Sequence, residues 1–298
     1  MTASRSQGGI GIERSCQLAG ISRSGYYRHW QLSAPRQEET GPRDAIQRLA
    51  LKHRHYGYRR IGALLRREGW QANHKRVLRL MREDNLLCLR QTPFVPTTTN
   101  SRHNWCVVPN LTRGIMLNGL DQLWVADITY LHLAEEFGYL AVILDAFSRK
   151  VVGWALDAHL RAELAISALT MAITARQPKR GSLIHHSDRG VQYACNEYAE
   201  ILAMHDIQPS MSRVGNPYDN AKAESFMKTL KQEEISGSSY RNLGQARSAI
   251  GAFIETAYNR QRLHSALAYR SPDEYEATLG RLPGVTSPPE VSITENCY

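Results

Sequence analysis

The spacing of apolar residues along this chain changes near residue 120. Before that point, apolar positions recur every three or four residues, which is the spacing of one buried helix face. After it, runs rich in β-branched and aromatic residues alternate with helical stretches. The pattern therefore predicts an all-helical front region followed by an α/β domain.

The front region begins with a short predicted helical pair at residues 10–30. Gly20 closes the first helix of this pair, and Ser22 caps the second. Residues 33–42 are polar and carry two prolines, which is typical of a linker. We therefore expect the pair to be separated from the helices that follow it.

A basic unit of three helices is predicted next, at residues 43–55, 58–69 and 74–87. Gly69 ends the second helix, and Asn73 caps the third. The apolar stripes are flanked by many arginines and lysines. This composition favours a helix-turn-helix DNA-binding unit over the alternative, a basic helical hairpin that binds nothing. The side chains expected to reach DNA are Arg59, Arg60, Lys75, Arg76 and Arg79.

From residue 122 onward the pattern is that of a sheet. Strands at residues 123–133, 138–148 and 150–157 are joined by tight turns into an antiparallel meander. The later elements are a helix at 161–176, a strand at 182–188, a helix at 192–205, a strand at 207–212, and helices at 217–234 and 243–259. Because the later strands connect through helices, they can pair parallel to the first strand. This order predicts an RNase H-like α/β core with a mixed five-stranded sheet and flanking helices.

These patterns divide the chain into five segments. They are an N-terminal helical pair at 1–35, a helix-turn-helix-like DNA-binding region at 43–90, a linker at 91–119, an RNase H-like core at 120–276 and a C-terminal tail at 277–298. The tail is assigned from its proline, serine and threonine content.

The charge of the chain is unevenly distributed. The net charge is +9, but residues 1–110 hold 19 basic and 7 acidic residues, whereas residues 111–298 hold 18 and 21. The whole positive excess therefore belongs to the front region, and it indicates a segment that binds a polyanion joined to a different kind of domain. A solvated basic face without a ligand is the alternative.

Composition also excludes several classes of protein. The five cysteines are scattered without a CxxC pair, which argues against a zinc site or a disulfide framework and fits a reducing cytoplasm. The longest apolar run, residues 138–146, is too short to span a bilayer. We therefore expect a cytoplasmic, nucleoid-associated protein.

Three acidic residues stand out in the predicted core. Asp127 lies among apolar residues inside the first strand, where a carboxylate is costly to bury without a partner. Asp188 ends the fourth strand, and Glu224 lies on a helix. Taken singly, Asp188 could be a turn former and Glu224 a surface residue. Together they would form an all-oxygen site for two Mg²⁺ or Mn²⁺ ions, the ligand type that hard cations prefer.

Several segments carry a resemblance to a known family. They are WVADITYL, LDAFSRKVVGW, HSDRGVQY, SMSRVGNPYDNAKAESFMKTLKQE and YNRQRLHSALAYRSPDEY. Thirty-five residues separate Asp188 from Glu224. Over residues 10–275 the chain resembles the insertion-sequence-3 family of bacterial transposases, within the wider group of retroviral-integrase-like enzymes.

The resemblance implies roles for the matching positions. Asp127, Asp188 and Glu224 would be the catalytic metal ligands, and Lys231, with Lys228, would contact a DNA end. A surface lysine remains the alternative for Lys231. The turn-rich loop at residues 212–220 could be a mobile flap beside the site. His185 and His186 are expected to be buried in the strand or to support the site, not to bind metal.

The resemblance also bears on partners. In this family, the active enzyme is often a frameshifted fusion whose upstream part supplies a further helix-turn-helix and a coiled coil. This chain shows no heptad region, so it resembles the downstream product only. We expect a homo-oligomer, since two DNA ends must be paired, and the upstream reading-frame product as a further partner.

The expected activity is metal-dependent cleavage at the ends of a mobile element, followed by strand transfer into DNA. Two other functions remain open on the residues alone. One is a structure-directed nuclease that cuts without joining, and the other is a DNA-binding regulator with a vestigial core.

Overall fold

Two separate units make up the chain, residues 1–88 and residues 89–298. In a computed structural model, the described residues are 12–20, 22–24, 39–88, 108–134, 136–213 and 217–280. Most of the second helix of the predicted N-terminal pair, the linker up to residue 107, residues 214–216 of the predicted flap and the tail from 281 lie outside them. Within the described ranges, no helix has the length and apolar character needed to cross a membrane.

The front unit is helical throughout its described part. Its helices are α1 (Ile12–Leu18), α2 (Thr40–Lys52), α3 (Tyr58–Arg67) and α4 (His74–Glu83). Helices α2, α3 and α4 pack on one another, and each contributes a fully buried side chain: Ile46, Ile61 and Val77. The predicted stop and cap are confirmed: Gly69 adopts a positive φ of 85°, and the Asn73 side chain accepts a hydrogen bond from the Lys75 amide at 2.9 Å.

Arginines surround one buried carboxylate in this unit. Glu39 is 5% exposed and accepts a hydrogen bond from Arg79 at 2.5 Å. Arg76 and Arg43 lie within 3.8 Å of the same carboxylate. The Arg79 hydrogen bond holds the pKa of Glu39 below its ordinary value, with Coulombic help from the three guanidinium groups. Some of the unit's arginines therefore form ion pairs within the unit.

The sheet of the second unit has five strands. They are β1 (Leu123–His132), β2 (Phe137–Asp145), β3 (Val151–Asp157), β4 (Ile184–Ser187) and β5 (Gln208–Met211). Their order is β3-β2-β1-β4-β5. The first three pair antiparallel, and β4 and β5 join parallel to β1. The predicted mixed five-stranded RNase H-like sheet is confirmed.

Helices cover both faces of the sheet. They are α5 (Ala162–Arg176), α6 (Val191–Ala194), α7 (Asn196–Met204), α8 (Ala221–Glu233), α9 (Leu243–Ala252) and α10 (Pro272–Leu279), with a π-helix at Phe253–Gln261 between α9 and α10. Alternate strand residues point to opposite faces, so β1 supplies Val125 to one core and Trp124 to the other. The first core packs on α8, α9 and the π-helix, and the second on α5 and α7.

One contact between a strand and a helix requires a glycine. A Cβ atom at Gly153 of β3 would lie 2.2 Å from the carbonyl oxygen of Ala168 on α5. Such a distance is far inside van der Waals contact, so only a residue without a side chain lets α5 pack this closely on β3.

Three predicted helices differ in detail from those observed. The helix expected at 192–205 is broken at Cys195, whose extended backbone (ψ 154°) begins α7. The break brings the rings of Tyr193 and Tyr198 to 5.5 Å, whereas residues five apart in one helix lie about 140° apart around its axis. The helix expected at 217–234 begins as a 3-10 turn at Pro217–Asn220.

The helix expected at 243–259 changes its winding part of the way along. It continues as the π-helix to Gln261, and within it Asn259 hydrogen-bonds both the N–H and the C=O of Val151 at 3.0 Å. Helix α10, which ends at Leu279, extends three residues beyond the predicted end of the core. Its capping box at Ser271 and Glu274 accounts for its start.

Candidate active site

Asp127 lies where one edge of β1 becomes free. Strand β4 pairs with β1 only over Leu123–Val125, two residues before Asp127. The Asp127 side chain is half-buried, and its Oδ1 accepts a hydrogen bond from the Ile128 amide at 2.9 Å. The carboxylate is therefore held at the rim of the sheet, in the position where α/β folds form their sites.

Asp188 follows β4 directly, and the parallel pairing determines its level. Val125 lies opposite His186, so the same register continued by two positions brings Asp188 level with Asp127. Asp188 Oδ1 accepts the Gly190 amide at 2.9 Å. A Cβ atom at Gly190 would lie 3.0 Å from that oxygen, so glycine permits the tight turn after β4.

Glu224 is placed by the start of α8. Asn220, immediately before α8, is buried and donates from Nδ2 to the carbonyl oxygen of Ala126 at 2.9 Å. This bond fixes the beginning of α8 one residue from Asp127 along β1. Glu224 lies one helical turn after Asn220 with its side chain exposed. From sequence, Asn220 belongs only to the turn-rich loop at residues 212–220, and local pattern could not indicate its contact with β1.

Electrostatics link the three acids. Burial, followed by the negative charge of Asp188 and then of Glu224, raises the pKa of Asp127 to about 7. The Ile128 amide and Lys231 act in the opposite direction. Partial burial also raises the pKa of Glu224. The structure thus places Asp188 and Glu224 near enough to Asp127 to disfavour the ionisation of Asp127.

A divalent cation is the natural counter-charge for such a group. Among the residues that the structure describes, no three His, Cys, Asp or Glu side chains are already gathered as a metal-binding cluster. The donor chemistry of Asp127, Asp188 and Glu224 fits a hard ion, because all three donors are carboxylates and their mutual repulsion falls when a cation is shared.

The two histidines of β4 are both buried, as predicted. His186 uses both ring nitrogens, at 2.8 Å from the Ser210 hydroxyl and 2.9 Å from that of Ser212. His185 Nε2 lies 2.5 Å from the Tyr198 hydroxyl. Burial lowers the pKa of His185 to about 3 and that of His186 to about 4, so both rings are neutral near pH 7. They support the strand that carries Asp188.

Lys231 and Lys228 follow Glu224 along α8. Their spacing of seven and four residues places all three on one helix face. Lys231 Nζ lies 5.6 Å from the ring centroid of Tyr130, within cation–π range, and Lys228 is exposed. A cationic stripe therefore begins at the acidic group and runs along α8.

The base of the predicted flap is closed by an ion pair. Arg213 donates to Asp219 from its backbone amide at 3.0 Å and from its guanidinium group at 3.1 and 3.2 Å. These bonds hold the pKa of Asp219 well below its usual range. Periodicity could not indicate this pair, although both residues flank the glycine- and proline-bearing turn.

Asp145 is a buried acid that the sequence showed only as an interruption of an apolar run. It is fully buried at the end of β2 and accepts hydrogen bonds from the amides of Asp121, Phe147 and Ser148 at 2.8 to 2.9 Å. These bonds shape the turn into β3, where Arg149 adopts a positive φ of 62°. Asp145 therefore has a structural part, distinct from the acids at the rim.

The predicted DNA contacts of the front unit fall into two groups. Lys75 and Arg59 are exposed, and Arg59 lies 4.9 Å from the Tyr58 ring centroid, while Arg60 lies 5.2 Å from that of Tyr56. Arg79 and Arg76 instead lie beside Glu39. The structure does not test contact with DNA for any of the five, and the ion pairs of Arg79 with Glu39 and Glu83 argue against such a contact for that residue.

Comparison with known families divides the chain in the same way as its fold does. Residues 37–94 match the HTH-like domain family. Residues 118–217 and residues 205–272 match two families that are both described as integrase core domain.

Individual relatives match over nearly their whole length. The chain is 40% identical over 264 residues to the 31 kDa protein of insertion element IS600 from Shigella sonnei, covering 86% of this chain and 95% of that one. It is 34% identical over 277 residues to transposase InsF for insertion sequence IS3A from Escherichia coli K12, covering 91% and 95%. A simian T-cell lymphotropic virus intasome structure aligns with 84% of this chain and 80% of its own at 17% identity and a TM-score of 0.46.

Proposed function

This chain belongs to the insertion-sequence-3 family of transposases, and we propose that it cuts the ends of a mobile DNA element and joins them to other DNA at Asp127, Asp188 and Glu224. The observation that carries the proposal is the electrostatic coupling of these acids. Asp188 and Glu224 both raise the pKa of Asp127, although the three come from separate elements. Family membership supports the class of reaction, a polynucleotidyl transfer.

The chemistry needs two phosphodiester exchanges. In the first, a water molecule loses a proton to solvent while its oxygen bonds to phosphorus at the element end, and the bond from phosphorus to the 3′ oxygen breaks. That oxygen leaves as a hydroxyl after gaining a proton from solvent. In the second, the freed 3′ hydroxyl loses its proton and bonds to a phosphorus of another strand, whose own 3′ oxygen leaves. No protein nucleophile is required, which agrees with a site built from carboxylates.

The three acids would hold Mg²⁺ or Mn²⁺, most simply as two ions. When bound, such ions stabilise the negative charge that develops on the attacking and leaving oxygens. The chain's own residues orient the reaction. Asn220 fixes α8, and with it Glu224, against β1. Lys231, beside Asp127, would hold a DNA phosphate near the acids.

DNA binding would extend beyond the core. The front unit would hold the element end through phosphate contacts, with a strong dependence on salt. Two ends must be held together for transposition, so we propose a homo-oligomer. We also propose that the upstream reading-frame product assists, and that the protein acts on DNA in the bacterial cytoplasm.

The test separates cutting from joining. Full-length protein is incubated with labelled element-end duplexes, a supercoiled plasmid and Mg²⁺ or Mn²⁺. Replacing Asp188→Asn should reduce both cleavage and strand transfer by more than about 100-fold, the upper end of the loss when a metal site loses an outer partner. DNA affinity in the absence of metal should be retained.

The control is Glu200→Gln, which removes an exposed carboxylate from α7. It should cut and join as the parent does. Full activity in Asp188→Asn would overturn the assignment of the acids. Metal-dependent cleavage by the parent without any joined product would overturn transposition and favour a nuclease.

A further inference from the structure

Three aromatic side chains form a cluster at the end of the β1–β2 hairpin, here called the aromatic patch: Tyr130, which is half-buried, and His132 and Phe137, which are exposed. Tyr130 and His132 alternate along β1 and so share one face of the sheet. His132 pairs directly with Phe137 across the two strands. The ring centroids lie 4.5 Å apart for His132 and Phe137, and 5.9 Å apart for Tyr130 and each of the other two.

The patch is not part of either hydrophobic core. The second core reaches Ile128 and Tyr139, which are partly buried against it, and goes no further along this face. Beyond them, His132 is exposed and Phe137 is 46% exposed. The exposed parts of the His132 and Phe137 rings contribute little to folding, so this apolar surface is available to a ligand.

A cation connects the patch to the candidate active site. Lys231 Nζ lies 5.6 Å from the centroid of Tyr130. The same lysine lowers the pKa of Asp127, three residues before Tyr130 on β1. Lys231 of α8 therefore lies near both a ring of the patch and the acidic group, although Asp127 and Tyr130 themselves point to opposite faces of β1.

Adjacent ring faces and a fixed cation suit one kind of ligand, a nucleotide whose base is not stacked in a duplex. Each base offers a flat face to an aromatic side chain, and its phosphate offers a negative charge to a lysine. In an intact duplex the base faces are covered by their neighbours, which leaves only edges and backbone accessible. The chemistry of the patch thus differs from that of the basic front unit, which has the features of a duplex binder.

We propose that the aromatic patch stacks against an unpaired base at the end of the DNA substrate, while Lys231 contacts the adjoining phosphate. The inference rests on the proposed function, because it takes DNA as the substrate of the neighbouring acids. It adds a surface that distinguishes a frayed or single-stranded end from a closed duplex.

The test compares the affinity of the full chain for two DNAs without divalent metal, measured by fluorescence anisotropy. One is a blunt duplex, and the other is the same duplex with a short single-stranded overhang. Phe137→Leu and Tyr130→Leu should each weaken binding to the overhang DNA by about 10-fold, the loss for one stacked base. Affinity for the blunt duplex should stay within 2-fold of the parent.

Conservative variants separate stacking from simple apolar contact. Phe137→Tyr and Tyr130→Phe keep the ring and should retain the preference for the overhang. The salt dependence of binding should not change in the leucine variants, because no phosphate contact is removed, whereas Lys231→Gln should lower it by about one ion. Thermal unfolding of the Phe137 variants should match the parent, since the side chain is exposed.

Several results would overturn the inference. These are equal binding of both DNAs by the parent, an unchanged preference in both leucine variants, equal loss of affinity for both DNAs, or a change of oligomeric state that accounts for the lost binding. Failure of this inference can be distinguished from failure of the proposed function. If the Asp188→Asn variant remained active, the role of the acids would be refuted, but the preference for overhang DNA could still be measured.

Discussion

Two acidic side chains, one in each unit, are withdrawn from water in opposite surroundings. Glu39 in the front unit is enclosed by three arginines, which hold its pKa below the ordinary value. Asp127 in the core unit has Asp188 and Glu224 as its charged neighbours, together with Lys231, and its pKa rises to about 7. The first arrangement neutralises a charge within the fold. The second places acids beside one another at a rim of the sheet, which is characteristic of a site that binds a cationic ligand.

The two units also differ in how they stabilise the acids that are part of the fold. In the front unit Arg43 also pairs with Glu83 and Asp84, so basic side chains hold helices together. In the core, the structural acid Asp145 is satisfied by backbone amides instead of cations. Acids that build the fold therefore have cations or several amides around them, whereas Asp127, at the rim of β1, accepts a hydrogen bond from the Ile128 amide and has two further acids near it. This difference identifies the candidate site without reference to any relative.

Substituting the two contrasted acids should have opposite effects, and this is the largest expected difference. Asp127→Asn should abolish cleavage, with a loss of more than about 100-fold. It should also stabilise the metal-free core by about 1 kcal/mol, because a charge disfavoured by burial and by the neighbouring acids is removed, and one pKa unit corresponds to about 1.4 kcal/mol. Glu39→Gln should instead destabilise the front unit, because three guanidinium groups lose their shared partner.

Hydrogen exchange on the full chain, read separately for amides of the two units, measures both effects in the absence of metal. Cleavage is assayed on the same samples with metal added. If Asp127→Asn weakened the protection of the core amides, the repulsion inferred at the rim of β1 would be wrong.

Acid should weaken the core through His185, an effect of intermediate size. Burial lowers the pKa of His185 from 6.5 to about 3. Between pH 6.5 and pH 3 the ring is therefore protonated in the unfolded chain and neutral in the folded state. The neutral ring thus contributes stability that is fully present above pH 6.5 and is lost as the pH falls toward 3. The slope is at most about 1.4 kcal/mol per pH unit.

The measurement is urea unfolding of the parent and of His185→Gln at pH 7.5 and pH 5.0. The difference between the two proteins isolates His185, since contributions from the carboxylates cancel. The free energy of unfolding of the parent should fall more than that of the variant between these pH values. An equal or smaller fall in the parent would contradict the buried neutral state.

Local pattern predicted those features that depend on neighbours in sequence. The strand meander, the mixed sheet and the cap at Asn73 follow from periodicity and from short signals, and all are confirmed. Resemblance to a family, not spacing alone, singled out Asp127, Asp188 and Glu224. Their convergence depends on the parallel register of β4 on β1 and on the Asn220 bond to Ala126, neither of which a sequence displays.

Features that depend on distant partners could not be predicted. Arg79 and Glu39 are 40 residues apart. Because helical periodicity reports only local neighbours, it predicts that Arg79 faces solvent as the other arginines of α4 do. The break at Cys195 brings Tyr193 and Tyr198 together in one core, and the helical spacing of apolar residues gives no indication of it. The aromatic patch likewise emerges only when the pairing of β1 with β2 places Phe137 opposite His132.

The smallest expected effect distinguishes two basic residues of α4 that are both predicted from the sequence to contact DNA. Lys75 is exposed at the start of the helix, whereas Arg79 donates to both Glu39 and Glu83. Lys75→Gln should weaken binding to duplex DNA a few-fold and lower the salt slope by about one, with little change in stability. Arg79→Gln should lower the thermal stability of the front unit and leave the salt slope unchanged. A salt titration of DNA binding and a thermal melt for each variant measure these two effects. If Arg79→Gln reduced the salt slope as much as Lys75→Gln does, the ion pairs of Arg79 with Glu39 and Glu83 would have to open when DNA binds. The front unit would then not separate basic residues that stabilise the fold from basic residues that bind a ligand.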